Sequence, residues 1–147
     1  MIPTTSEIQN ESIVEFEYKT QPDYTYKINI ESECIASHVD GLNAYKQAVY
    51  KILNTERYEH LIYSWNYGVE LKNLMGKPLS YVIPEVEERI REAVMQDDRT
   101  ENVYGFQFEQ PKRGVLHVTF WCKSTLGTIL MEKEIELWVY MIHKHKI

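Results

Sequence analysis

A chain of 147 residues, 44% hydrophobic and 26% charged, has the size and composition of one globular domain with a real core. Its formal net charge of −6 leaves no basic stripe to displace counterions from phosphate, which excludes an ordinary nucleic-acid binder. No apolar run approaches the ~18 residues of a bilayer span, and residues 1–5 lack the basic start and apolar stretch of a secretory signal. The expected location is therefore the cytoplasm, unless an assembly carries the protein out.

Residues 1–11 are polar and without period, and read as a tail. Val14, Phe16 and Tyr18 then alternate with polar residues. After a loop at residues 19–23, so do Tyr24, Tyr26, Ile28 and Ile30. Period two on both sides of a short turn predicts a hairpin with one buried face. A third apolar piece covers residues 34–39.

At Asp40 the period changes. Leu42, Tyr45, Ala48, Val49, Ile52 and Leu53 recur at three and four, the stripe of a helix ending near Asn54, with Asp40 placed to cap its first turn. An aromatic connector follows, containing Tyr58, Tyr63, Trp65 and Tyr67. A short helical turn is predicted over residues 69–75, stopped by Gly76-Lys77-Pro78. Pro84 is expected to open a second long helix, with Glu85, Glu87 and Glu88 in its first turn and Val86, Ile90, Ala93 and Val94 buried. That helix gives out at residues 96–98.

The last third returns to period two. Tyr104, Phe106 and Phe108 share one face, as do Leu116, Val118, Phe120 and Cys122. Turns at residues 111–114 and 124–127 lead into a last strand over residues 128–137. The predicted fold is α+β: a mostly antiparallel sheet, made of the N-terminal hairpin and a three-stranded meander, packed with two long helices and one short helix. Residues 12–137 form the single domain, and residues 138–147, with the apolar run Trp138-Val139-Tyr140-Met141-Ile142, a C-terminal extension. Cys34 and Cys122 lie far apart in strand-like stretches and are expected as buried free thiols.

Chemistry finds little to work with. The carboxylates lie mainly on solvated faces, and no nucleophile motif or phosphate loop is present, so no catalytic residue, cofactor or small-molecule substrate is expected. His143-Lys144-His145 reads as a solvated basic end, and no metal ligand set can be named. The aromatic connector suits an interface hot spot as well as a half-buried core, and its spacing leaves both readings open. Glu56 with Arg57, and Asp97 and Asp98 with Arg99, follow the two helix ends. The arginine fork there suits free helix carbonyls or a carboxylate, and ordinary surface pairing is the plainer alternative.

Several ordered segments carry a resemblance: Asp40-Gly41-Leu42-Asn43-Ala44-Tyr45, Leu53-Asn54-Thr55-Glu56-Arg57-Tyr58, Tyr63-Ser64-Trp65-Asn66-Tyr67-Gly68, Leu74-Met75-Gly76-Lys77-Pro78 and Gln96-Asp97-Asp98-Arg99. Together, over residues 12–137, the chain resembles the XkdS family of PBSX-type prophage tails. That family is similar to the small baseplate wedge subunit of contractile tails and type VI secretion baseplates. The resemblance implies a non-catalytic baseplate subunit that contacts wedge and hub proteins and the tail sheath protein, with no nucleic-acid or membrane partner. It implies assembly in the bacterial cytoplasm and residence in the baseplate of the particle.

Wedge subunits of this kind carry Glu-Pro-Arg after the second long helix, where this chain has Asp97-Asp98-Arg99 and no proline. Glu56, Arg57, Trp65, Tyr67, Asp97, Asp98 and Arg99 become the expected partner-binding residues. The strand over residues 128–137 becomes an expected acceptor for a sheath strand. Two other readings stand beside this one. A peptidoglycan hydrolase is suggested by the tail-lysozyme label of some relatives, and a regulatory adaptor by related folds.

Overall fold

A computed structural model describes residues 23–137. In chain order it contains β1 (Thr25–Asn29), β2 (Cys34–Val39), α1 (Gly41–Leu53), a 3-10 turn (Lys72–Leu74), α2 (Leu79–Met95), β3 (Thr100–Lys112), β4 (Val115–Ser124) and β5 (Gly127–Glu136). The class is α+β, as the two periodicities predict. The strands form two separate antiparallel sheets, β1-β2 and β3-β4-β5, rather than one. The expected strand at residues 14–18 lies outside the described residues. Within them, the Tyr24–Ile30 stretch pairs with residues 34–39.

The helix α1 begins where its capping residue says. Extended Asp40 accepts the Gly41 N–H through Oδ1 at 2.7 Å. Its buried stripe is Ala44, Tyr45, Val49, Ile52 and Leu53, while Leu42, expected inside, is exposed beside Gly127. Helix α2 starts five residues before the predicted Pro84. Val82 is fully buried and Leu79 and Ile83 pack on the core, so the apolar stripe reaches one turn further back. Pro84 removes one ladder bond, to the Ser80 carbonyl, and burial of Val82, worth about 1.5–3 kcal/mol, offsets that loss. The first turn accordingly holds no acid; Glu85 pairs with Arg89, and Glu87 and Glu88 with Arg91. The helical turn expected over residues 69–75 contracts to the 3-10 turn Lys72–Leu74.

In the three-stranded sheet β4 is central, and Leu116, Val118, Phe120 and Cys122 face the helices as predicted. Burial raises the Cys122 thiol to about 12, with a hydrogen bond from Tyr45 working the other way. Cys34, expected buried, is exposed; both thiols are free.

Tyr104 does not share a face with Phe106 and Phe108. The register slips between Tyr104 and Gln107, where Gly105 at φ +70° adds a residue to the strand. Val103 therefore points inward and Tyr104 outward, aligned with exposed Trp121 and Leu130 across the sheet. A Cβ at Gly105 would lie 2.9 Å from Trp121 Cδ1. Gly105→Ala is expected to lower stability by about 1–2 kcal/mol in urea denaturation, chiefly through the left-handed φ. The predicted turn at residues 111–114 narrows to Arg113-Gly114, because Pro111 and Lys112 still belong to β3.

The core lies between the helices and this sheet. Helix α2 covers β3, and α1 contacts both β5 and β1. The hairpin is tied to α1 by one side chain: the Gln47 amide accepts the Ile28 N–H at 2.9 Å and donates to the Tyr26 carbonyl at 2.8 Å. It stands in for the peptide of an absent neighbouring strand and closes that edge of β1.

Candidate partner-binding site

Residues 57–68 form a loop whose two ends meet. The Val69 N–H donates to the Thr55 carbonyl at 2.9 Å, and the Arg57 N–H to the Val69 carbonyl at 3.3 Å. Arg57 closes the ring from inside. Its side chain is 9% exposed, and one terminal nitrogen donates to both Glu92 oxygens on α2, at 3.0 and 2.9 Å. Nε donates to the Gly68 carbonyl and the other terminal nitrogen to the Asn66 carbonyl, each at 3.3 Å. One planar fork thus pins a loop to a helix. Gly68 sits at φ +91°, where a Cβ would meet the Thr55 carbonyl oxygen at 2.5 Å. Glu56 does not pair with Arg57; it accepts the Leu71 and Lys72 N–H groups and so caps the 3-10 turn.

The ring is rigid at its base and apolar at its tip. Tyr63 and Tyr67 stack with centroids 4.5 Å apart, and Tyr67 is half-buried. Trp65 is 82% exposed, Ile62 87%, and Leu61 fully exposed, beside exposed Tyr58. Of the connector's aromatic residues, Tyr58, Tyr63 and Trp65 are exposed and Tyr67 alone is half-buried. Ordinary surfaces scatter their apolar residues, whereas here several share one short ring. A groove of about 350 Å³ between the ring and the end of α2 brings Tyr67 next to Asp97 and Asp98.

Arg99 makes a second, separate clamp. Nε and one terminal nitrogen grip Asp97 at 2.9 and 2.8 Å, the other terminal nitrogen reaches Asp23 at 2.9 Å, and the guanidinium lies 5.5 Å from the Tyr45 ring centroid. Burial pushes the Asp97 carboxyl upward, but side-chain and backbone hydrogen bonds from Arg99 outweigh it and hold the group below its ordinary value. Tyr45, buried and sharing a 2.8 Å hydrogen bond with Thr100, is raised by burial to about 12. Asp98 is exposed and takes no part in the clamp. An Asp97 held ionised this way is a structural anion, unsuited to act as a general acid. Among the described residues no cluster of His, Cys, Asp and Glu is arranged to hold a metal ion, and no helix is long and apolar enough to cross a membrane.

The sheet offers a third feature, its edges. β3 carries three register shifts as well as Pro111, all of which discourage a further strand. β5 pairs with β4 through ten consecutive residues without a break, so its outer edge is long and regular.

Comparison with known proteins brings these features under one heading. The profile of the family described as contractile injection system sheath initiator matches residues 17–127. The chain belongs to that family. It is also 35% identical over 136 residues to the phage-like element PBSX protein XkdS of Bacillus subtilis (strain 168), an alignment spanning 89% of this chain and 95% of that protein. The expected XkdS-like kinship thus holds, and this sheath initiator is a structural component of a contractile tail.

Of the residues anticipated from sequence, the fold brings Tyr67, Asp97 and Asp98 around one groove, and Trp65 and Arg57 onto the adjoining ring. Glu56 supports that ring from behind. Sequence reasoning missed Leu61 and Ile62, although both are plain in the connector, and did not anticipate the tie from Arg57 to Glu92. Asp23, taken for a loop residue, is the third member of the Arg99 clamp.

Proposed function

We propose that this sheath initiator starts the first sheath ring at the baseplate by accepting a strand of the sheath protein on the outer edge of β5. The observation that carries the reading is the unbroken ten-residue register of β5, set against the bulged β3 and the Gln47-closed β1. An unpaired strand edge binds another chain through main-chain hydrogen bonds and reads it through alternate side chains. The aromatic ring and the Asp97–Arg99 end of α2 then face the wedge components, with Leu61, Ile62 and Trp65 as the apolar knobs. Large rigid side chains of this kind dominate interface energetics.

A proline scan along residues 127–136 tests the strand reading. At positions whose N–H points away from β4, proline is expected to abolish sheath assembly while circular dichroism stays native. If every folded variant still nucleates sheath, β5 is not the acceptor.

A further inference from the structure

Past Leu137 the chain continues into an apolar run, Trp138-Val139-Tyr140-Met141-Ile142, followed by the basic stretch His143-Lys144-His145-Lys146. The Leu137 N–H donates to the Gly114 carbonyl at 2.7 Å, one step beyond the last paired residue of β5. Residue 138 therefore departs from the corner of the sheet where β5 ends. There β5 has β4 on one side and, among the described residues, no strand on the other.

The two faces of β5 differ in chemistry. Ile129, Met131, Ile135 and Leu137 turn inward and are buried; Lys133, in the same series, is half-buried and donates to Asn54 Oδ1 at 2.9 Å. Glu132, Glu134 and Glu136 turn outward. Opposite them on β4 stand Thr119, His117 and Val115, so three carboxylates have one imidazole and no lysine or arginine across the ladder.

A groove of about 280 Å³ at this end of β5 has the same balance. Leu53, Leu71, Met75 and Ile135 form its apolar wall. Around it Glu56, Glu59, Glu134 and Glu136 outnumber Lys72 and Lys133, with His60 beside them. Glu59 pairs with Lys72, while Glu56 accepts the Leu71 and Lys72 N–H groups and partly offsets the charge of Lys133. Among the described residues Glu134 and Glu136 make no side-chain hydrogen bond or ion pair, so the free edge of β5 carries unbalanced negative charge.

We propose that residues 138–147 fold back along the outer edge of β5 in the free protein and cover it until a sheath strand displaces them. The inference rests on the strand-accepting edge proposed above and adds its cover. Common hairpin loops have about two to five residues. A loop with an odd number of residues puts Lys144 and Lys146 on the outward face, each opposite one of the three glutamates. One with an even number turns both inward and sets one of them against Lys133. Opposite charges across neighbouring strands attract and like charges repel, so the pairing itself selects the odd register. The apolar run then falls at the end of β5, beside the wall of the groove. A covered edge also spares the free chain the indiscriminate pairing that a bare one invites.

The test compares the full chain with the double variant Lys144→Glu/Lys146→Glu, by amide exchange over residues 128–136 and by the rate at which purified sheath protein assembles. In the native chain the β5 N–H groups that point away from β4 are expected to be protected. The double variant should exchange them at least about tenfold faster, with circular dichroism unchanged. Adding Glu132→Lys, Glu134→Lys and Glu136→Lys to it should restore the protection. Outward N–H groups that exchange at the unprotected rate in the native chain overturn the cover, and the proline scan then still decides the acceptor edge. Protection that survives the charge reversal comes from elsewhere and overturns the cover equally. If the reversal bares the edge and sheath assembly is no faster, the cover stands and the acceptor edge falls.

Discussion

Replacing Arg99 with alanine is expected to lower the stability of the folded chain by about 3 kcal/mol, because it strands Asp97, whose side chain is only 10% exposed, without its counter-charge. Asp23 and the Tyr45 ring lose the same partner, so the end of α2, the start of β3 and the stretch before β1 loosen together. Chemical denaturation measures the loss, and its pH dependence identifies the cause. A carboxyl whose folded pKa is depressed contributes stability that is fully present above its unfolded value, about 3.9, and is lost as pH falls through the folded value. The difference between the native chain and Asp97→Asn should therefore be constant near neutrality and shrink in acid below about pH 4. A difference that stays flat down to pH 2 would show that the pair contributes packing and no charge.

Arg57→Ala should cost less in stability, about 2 kcal/mol, and more in recognition. Glu92, with half its side chain exposed, can return to water, so no charge is left stranded. What is lost is the tie that holds residues 57–68 in a ring, since the Asn66 and Gly68 carbonyls lose a donor each. Amide exchange in residues 58–68 should accelerate while that of α2 is unchanged. Affinity for baseplate partners should fall about tenfold or more, because the knobs must then be ordered on binding. Arg57→Lys should not restore it, as a lysine cannot reach two carbonyls and a carboxylate in one plane. Unchanged affinity with a loosened ring would remove the ring from the interface.

Both helices and the meander could be read from the sequence because each presents a sustained period. Leu116 to Cys122 alternates without a fault, and Tyr45 to Leu53 keeps to three and four. The errors lie where local chemistry competed with packing. Pro84 looked like a helix start, yet the stripe through Val82 carried the helix past it. Tyr104 looked level with Phe106, yet Gly105 shifted the phase. The long-range halves of the clamps were illegible for a different reason: Arg57 meets Glu92 across 35 positions and Arg99 meets Asp23 across 76, and no local pattern records such a meeting, whereas Asp97 beside Arg99 was in plain view. Lys133 is an intermediate case. Its place in the odd-numbered series Ile129, Met131, Ile135 and Leu137 was visible all along, and only the register with β4 showed that the series belonged to an edge.

The Gln47 bridge has a consequence for motion. A two-stranded ribbon is marginal by itself, and among the described residues this one shares no ladder with the larger sheet. Its release breaks two hydrogen bonds and a patch of helix contact while the buried core of α1, α2 and β4 stays closed. The chain therefore has two thresholds of opening, a low one for the ribbon and a global one for the body. Such a molecule can adjust its outer arm to what it meets while the body keeps its shape.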